Sequence, residues 1–162
     1  MKKVVVFYSL TGNTRIVAKT IAKELKADLC EVEEVKKRNR FIAYLTGSFA
    51  ASRDKCSEIK PLTLNVQNYD LILLGSPIWA GRPVPAINAF INNTDFKHKK
   101  VILFFTMGGS GYEKAISNIR VKLERKSGMI TDSFVVRVGR RKADLIVKET
   151  KKAVKSHLGH LG

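Results

Sequence analysis

Ser9, Thr11, Asn13 and Thr14 place three hydroxyls and one carboxamide within six residues, around Gly12. Such groups donate hydrogen bonds without carrying charge. Clustered where a helix begins, they suit an oxyanion, because helix N–H groups converge there and the helix dipole favours negative charge. A glycine is needed where such a loop turns tightly or its backbone approaches the ligand. The stretch lacks the Gly-Lys-Ser/Thr ending of a Walker A loop and is not Gly-x-Gly-x-x-Gly. It therefore argues against nucleoside triphosphates and the usual dinucleotide fingerprint. It points to a monophosphate held by neutral donors.

Two more stretches of small residues stand out: Gly75-Ser76-Pro77-Ile78-Trp79-Ala80-Gly81 and Thr106-Met107-Gly108-Gly109-Ser110-Gly111. The sequence shows no Ser/His/Asp or Cys/His set and no acid–base pair. His98, His157 and His160 have no metal-ligand spacing, and the last two are expected to lie in solvent. Cys30 and Cys56 make no Cys-x-x-Cys pair and read as structural thiols.

The elements that must position these loops follow from periodicity. Residues 3–8 read as a buried parallel strand, and 14–26 as a helix with Val17, Ile21 and Leu25 spaced by four. Residues 28–33 read as a strand, and 39–53 as an amphipathic helix. Leu71–Leu74 is a strand, after which Pro83 and Pro85 open a helix that buries Ala86, Ile87, Phe90 and Ile91. Val101–Phe105 is a strand. A helix over 112–126 turns Tyr112, Ile116, Ile119 and Leu123 inward and Lys122, Arg125 and Lys126 outward. Residues 133–138 form the last strand. The last helix, 142–158, exposes Lys148, Lys151, Lys152 and Lys155. Alternating strands and helices predict an α/β fold, a parallel sheet covered on both faces. With no repeat, low-complexity segment or linker, residues 1–162 read as a single domain. The three loops follow the first, third and fourth strands. In an open α/β sheet, ligands bind at that edge, where the strand order reverses.

Hydrophobic content of 44% and charged content of 27% fit an ordinary globular protein. No apolar run approaches the ~20 residues of a membrane span, and the N-terminal run is too short for a signal peptide. Cytoplasmic residence is therefore the expectation. The net charge of +16 is unevenly placed: residues 96–162 hold 16 Lys and Arg against 5 Asp and Glu. Such a field favours acidic partners and gives weak affinity for nucleic acids at low salt. The competing reading is a solvated basic surface with no dedicated partner.

Together the three loops resemble the flavodoxin family, over nearly the whole chain in element order. The resemblance is strongest at Ser9–Thr14, Gly75–Gly81 and Thr106–Gly111, and closest to archaeal and anaerobe-type members with a Gly-Ser-Pro-x-Trp-x-Gly loop. It implies a flavodoxin-like doubly wound sheet of five parallel strands, order 2-1-3-4-5, with FMN at the switch point between strands 1 and 3. That order is the family's and does not come from these residues. The resemblance further implies that Ser9, Thr11, Asn13 and Thr14, with the amides of Leu10 and Gly12, cradle the FMN phosphate. Pro77, Ile78, Trp79, Ala80 and Gly81 would line the isoalloxazine, with Trp79 stacked on the ring and the Ala80–Gly81 peptide near N5. Thr106, Met107, Gly108, Gly109 and Gly111 would hold the pyrimidine end. A lone tryptophan is usually core, but Trp79 lies in a Pro/Gly-flanked loop, which favours stacking.

The implied function is one-electron transfer between redox partners, by a monomer or weak homodimer. The chain departs from the family in charge, since typical flavodoxins are strongly acidic around the exposed flavin edge. Here the ring loop continues Ala80-Gly81-Arg82. One unit charge about 8 Å from the ring, at an effective dielectric of about 20, is worth ~2 kcal/mol, or roughly 90 mV for one electron. The second one-electron couple is therefore expected to be less negative than in an acidic relative. The partner is expected to be acidic, a ferredoxin or an acidic oxidoreductase. Residues 36–58 form an extra region in which Arg40, Tyr44 and Arg53 cover the flavin side, form a subunit contact or simply pack against the sheet. The alternative function is an FMN-dependent NAD(P)H:quinone or flavin oxidoreductase. An oxidase of this fold usually carries a long insertion near the last strand, which is missing. No nucleic-acid recognition motif supports a fourth reading from charge alone.

Overall fold

Val4, Val5, Val6 and Phe7 leave no polar side for water, so strand β1 (Lys3–Phe7) has to lie inside a sheet covered on both faces. All four are fully buried. The structure is a computed structural model that describes residues 1–36, 56–109 and 111–161. Beside β1 lie β2 (Asp28–Glu31) on one side and β3 (Leu71–Trp79) on the other, then β5 (Lys100–Met107) and β6 (Met129–Arg137). All these pairings are parallel. A two-residue strand, β4 (Arg82–Pro83), runs antiparallel to the end of β3. The sheet order is β2-β1-β3-β5-β6 with β4 to one side. This is the expected five-strand order with a short sixth strand added.

Among the described residues four α-helices cover the sheet: α1 (Asn13–Leu25), α2 (Pro85–Asn93), α3 (Tyr112–Glu124) and α4 (Ala143–Leu158). Side chains alternate across each strand, and the two faces make separate cores. On one face Val4, Val6, Ile72, Leu74 and Phe105 meet Ile87 and Phe90 of α2 and Ile119 and Leu123 of α3. On the other, Val5, Phe7, Leu73 and Phe104 meet Val17 and Ile21 of α1 and Ile146 and Leu158 of α4. Each such fully buried side chain contributes about 1.5–3 kcal/mol.

Several elements differ from the expectation, each for a long-range reason. Strand β3 continues through Gly75 and Pro77 to Trp79. Gly75 is a packing residue rather than a loop residue: a Cβ there would lie 2.1 Å from the Phe104 ring. Pro77 is tolerated because β1 ends at the Phe7–Gly75 pair, so only the β5 side still has a neighbour. Pro83 belongs to β4, and Pro85 alone opens α2. Strand β6 begins at Met129, four residues early. Val101 pairs with Ile130 but Ile102 with Asp132, so Thr131 is an extra residue that shifts the alternation.

Lys122 does not simply point outward. Its ammonium donates to Asn88 Oδ1 at 2.7 Å, and Lys126 donates to the Asn92 carbonyl at 2.6 Å. The two lysines, one turn apart, tie α3 to the end of α2. Tyr112 and Ile116 are half-buried, while Ala115, with Ile119 and Leu123, is fully buried. His157 is not simply solvated: Nδ1 lies 3.2 Å from Asp132 Oδ2 and the ring stacks on Phe134 with centroids 5.4 Å apart. The expected helix over 39–53, with Arg40, Tyr44 and Arg53, lies outside the described residues.

Candidate functional site

The order of strands reverses at β1, whose successors β2 and β3 lie on opposite sides of it, and the loops after β1, β3 and β5 meet just beyond the β1–β3 pair. Loop 9–12 is shaped by its own first hydroxyl. Ser9 Oγ accepts the N–H of Gly12 and of Arg15, each at 3.2 Å. Gly12 has φ 95°, a left-handed conformation that glycine adopts without steric cost, and α1 starts immediately after it. Thr11 is exposed and Asn13 half-buried, and both line the cleft described below. Ser9 and Gly12 shape the loop with groups that were expected to face a ligand. Thr11, Asn13 and the first N–H groups of α1 are left as its donors.

Thr14 and Thr106 are buried, and their hydroxyls share a hydrogen bond of 2.8 Å. This bond ties the start of α1 to the end of β5. After Trp79, Ala80 (φ 50°) and Gly81 (φ 70°) both take left-handed conformations. They form a two-residue hairpin turn into β4 of the type that needs φ > 0 twice. Buried Ser76 braces the hairpin: its Oγ accepts the Val84 N–H at 3.2 Å. Gly111 (φ 99°) presses on Gly81, so that a Cβ on Gly111 would come 2.9 Å from the Gly81 Cα. Backbone-to-backbone contact of this kind admits only glycine. Gly108 and Gly109 are exposed on the same lip.

The resulting cleft has a volume of about 240 Å³ and is lined by Leu10, Thr11, Asn13, Thr14, Pro77, Ile78, Trp79, Thr106, Met107, Gly108 and Val138. All but Val138 were candidates on sequence grounds. Ala80, Gly81, Gly109 and Gly111 stand at its lip or behind it rather than in its lining. Val138 was missed, although an apolar residue at a strand end before a glycine is the same local pattern as in the other loops. Tyr8 was missed too. Its ring meets Trp79 edge-on, with centroids 6.1 Å apart at 88°, and so orients the half-buried indole.

A second cleft, about 270 Å³, lies on the other side of loop 9–12, lined by Tyr8, Ser9, Leu10, Arg15, Glu31, Val32, Glu33 and Glu34. Tyr8 donates its hydroxyl proton to buried Glu34 at 3.0 Å. Arg15 makes a two-point pair with Glu31 at 2.6 and 2.8 Å. That hydrogen-bonded carboxylate raises the already high pKa of Arg15, against the opposing effect of burial. Three carboxylates make this cleft unsuitable for an anion. The first cleft offers neutral donors and a helix N-terminus at one end, and an indole, Ile78, Met107 and Val138 at the other. It suits a flat apolar ring system joined to an anionic group. Among the described residues, no group of three or more His, Cys, Asp or Glu could hold a metal ion, and no helix is long and apolar enough to cross a membrane.

Known proteins share this architecture. A flavoprotein from Lactobacillus acidophilus NCFM, solved in complex with FMN, superposes with a TM-score of 0.71 at 24% identity, over 93% of this chain and 98% of that one. Oxidised flavodoxin 2 from Bacillus cereus gives 0.61 at 18%, over 94% of each chain. Among sequence relatives, the flavodoxin-like domain-containing protein BilS of Clostridioides difficile is 28% identical over 138 residues. That match covers 83% of this chain but only 65% of BilS. An uncharacterized protein from Archaeoglobus fulgidus is 28% identical over 143 residues, 88% of this chain and 82% of that protein. The family model described as flavodoxin matches residues 2–133, which is most of the chain and takes in all three loops that form the cleft. The chain belongs to the flavodoxin family.

Proposed function

We propose that residues 1–162 act as one unit that binds FMN in the cleft between loops 9–12, 79–82 and 107–111 and passes electrons one at a time between redox partners. The observation that carries this reading is the two-ended chemistry of the cleft. Thr11, Asn13, the Leu10 amide and the first N–H groups of α1 would hold the phosphate, with the helix dipole favouring its charge. Ser9, Gly12 and Thr14 would keep that loop in shape. Trp79, oriented by Tyr8, would lie against the ring, with Pro77, Ile78 and Met107 completing an apolar wall. The backbone of Thr106–Gly111 would face the pyrimidine end.

Bound FMN would supply the redox chemistry, since the described residues line the cleft with no acid–base pair of their own. The excess of positive charge supports an acidic partner, a ferredoxin or an acidic oxidoreductase.

The test is reconstitution with FMN, followed by stepwise anaerobic reduction and then mixing with NADH and NADPH. A carrier binds FMN in a 1:1 ratio, is reduced in two resolved one-electron steps and stays oxidised for minutes with nicotinamides. Immediate two-electron reduction by NAD(P)H would move the function to an FMN-dependent oxidoreductase. Failure to bind FMN would remove the reading altogether.

A further inference from the structure

The two sides of the cleft mouth differ in how their charges are compensated. On the β2 side Glu31 is paired with Arg15, Glu33 with Lys60 at 2.7 Å, and Glu34 is buried against Tyr8. On the β6 side Arg137, Arg140, Arg141 and Lys142 fall within six residues, and all four are exposed. The turn that carries them borders the cleft directly. Val138 is part of the lining, and the Gly139 Cα lies 3.5 Å from where a Gly108 Cβ would stand. The turn is well fixed: Val138 donates its N–H to the Met107 carbonyl at 3.0 Å, and its carbonyl accepts the Arg141 N–H at 2.9 Å. Exposed Lys114 joins from α3, with its Cδ 3.4 Å from the place of a Gly81 Cβ. These cations come from two segments of the chain, one bordering the cleft at Gly108 and the other at Gly81.

Their position runs against local stability. Arg140, Arg141 and Lys142 immediately precede Ala143, the first residue of α4. The N-terminus of a helix is its positive end, where cations are unfavourable. Of the three, Arg141 gains a pair with Glu149, at 3.5 Å. A basic helix face kept only for solubility would carry its lysines farther along α4, where Lys148, Lys151, Lys152 and Lys155 already are.

We infer that the β6–α4 turn, with Lys114, is the docking surface for the acidic face of a redox partner protein. The partner would sit over the Gly108–Gly109 lip, held there by charge complementarity with the uncompensated cations of the turn. This inference rests on the proposal that the chain holds FMN and exchanges electrons. In docking no bond is made or broken: one electron leaves the reduced partner and one is gained by the FMN-loaded chain. A nucleic acid fits the patch less well, because the described turn residues 137–142 include no aromatic ring to stack a base. A membrane surface fits less well too, since among the described residues Leu145 is the one large exposed apolar residue beside the turn in sequence.

The experiment is anaerobic stopped-flow mixing of the FMN-loaded protein with a reduced, acidic [2Fe–2S] ferredoxin, at low salt and at 0.5 M salt. R140E/K142E is compared with K148E/K152E, an identical charge change on the far part of α4, and with the neutralised R140Q/K142Q. FMN content and reduction by dithionite are measured first for every variant. We expect the second-order rate to fall at least 10-fold in R140E/K142E and by an intermediate factor in R140Q/K142Q. K148E/K152E should change it less than 3-fold. Salt should slow the wild type and have little effect on R140E/K142E. Melting of R140E/K142E should be no lower than wild type, because the removed cations opposed the α4 dipole. Equal losses in both charge-reversed variants, or none, would overturn the docking surface while leaving FMN binding intact. The docking surface is also overturned if R140E/K142E loses binding to single-stranded DNA or phosphatidylserine vesicles at 0.15 M salt while ferredoxin exchange is unchanged. Absence of FMN or of any exchange in the wild type would instead remove the underlying proposal.

Discussion

The two clefts on either side of loop 9–12 are close in size, about 240 and 270 Å³, and opposite in chemistry. They share Leu10 and the turn shaped by Ser9. One is lined by hydroxyls, a carboxamide and apolar groups, the other by three carboxylates and an arginine. Volume therefore does not distinguish them as candidate sites for an anionic ring compound. Charge does, together with the N-terminus of α1, which opens onto the neutral side. The two are also held differently. The neutral cleft is closed by backbone contact between glycines and by the Thr14–Thr106 bond, and the acidic one by an ion pair and the Tyr8–Glu34 bond.

The strongest way to break this comparison is to make the neutral side acidic. Asn13→Asp brings a carboxylate toward the proposed phosphate site. Two like charges about 6 Å apart at an effective dielectric of about 20 repel by about 2.8 kcal/mol, so FMN affinity should fall roughly 100-fold. The same carboxylate lies in the first turn of α1, so the FMN-free protein should melt no lower, which separates affinity from stability. Glu34→Gln, in the other cleft, should change FMN affinity less than about 3-fold. Fluorescence titration with FMN measures both, and equal losses would erase the distinction between the clefts.

A second contrast concerns how each cleft is closed. Gly111→Ala adds a Cβ at φ 99°, 2.9 Å from the Gly81 Cα, and neither backbone can give way cheaply. We expect a loss of about 2 kcal/mol in urea unfolding and a weaker grip on FMN. Arg15→Ala removes an ion pair whose arginine side chain is 43% exposed. Its cost should stay below about 1 kcal/mol and shrink in salt.

The smallest effect lies at the start of the acidic strand. Tyr69 donates to Asp28 at 2.8 Å, and that hydrogen bond raises the phenol pKa, with burial adding to the rise. The folded protein thus keeps this proton to higher pH than the unfolded chain does. The contribution is complete below the ordinary tyrosine pKa of about 10 and is lost as pH rises through the folded value. Thermal melts from pH 8 to 11 should show a shallower alkaline decline in Tyr69→Phe than in the wild type.

Much of the fold was legible because local patterns encode it. The Val4–Phe7 run and the Val17-Ile21-Leu25 spacing each name an element and its buried side. The loops were legible because glycine and small polar residues follow strand ends. The ends of strands were less legible. Gly75 and Pro77 look like loop residues until Phe104 and the early end of β1 are known, and Thr131 hides the start of β6 by shifting its alternation. In the site, Ser9 and Gly12 read as ligand contacts because their types suit one. That they hydrogen-bond each other depends on the three-dimensional turn.

By itself, then, the sequence determined the alternation of strands and helices, the three loops at strand ends and the excess of positive charge. These are properties of composition and of neighbours a few residues apart. Only the tertiary structure decided that Val138 completes the cleft, that Thr14 reaches Thr106 and that Gly111 must meet Gly81. It alone placed carboxylates on one flank of the mouth and arginines on the other. The reason is that each of these depends on strand register and helix docking, which bring together side chains that lie far apart in the chain.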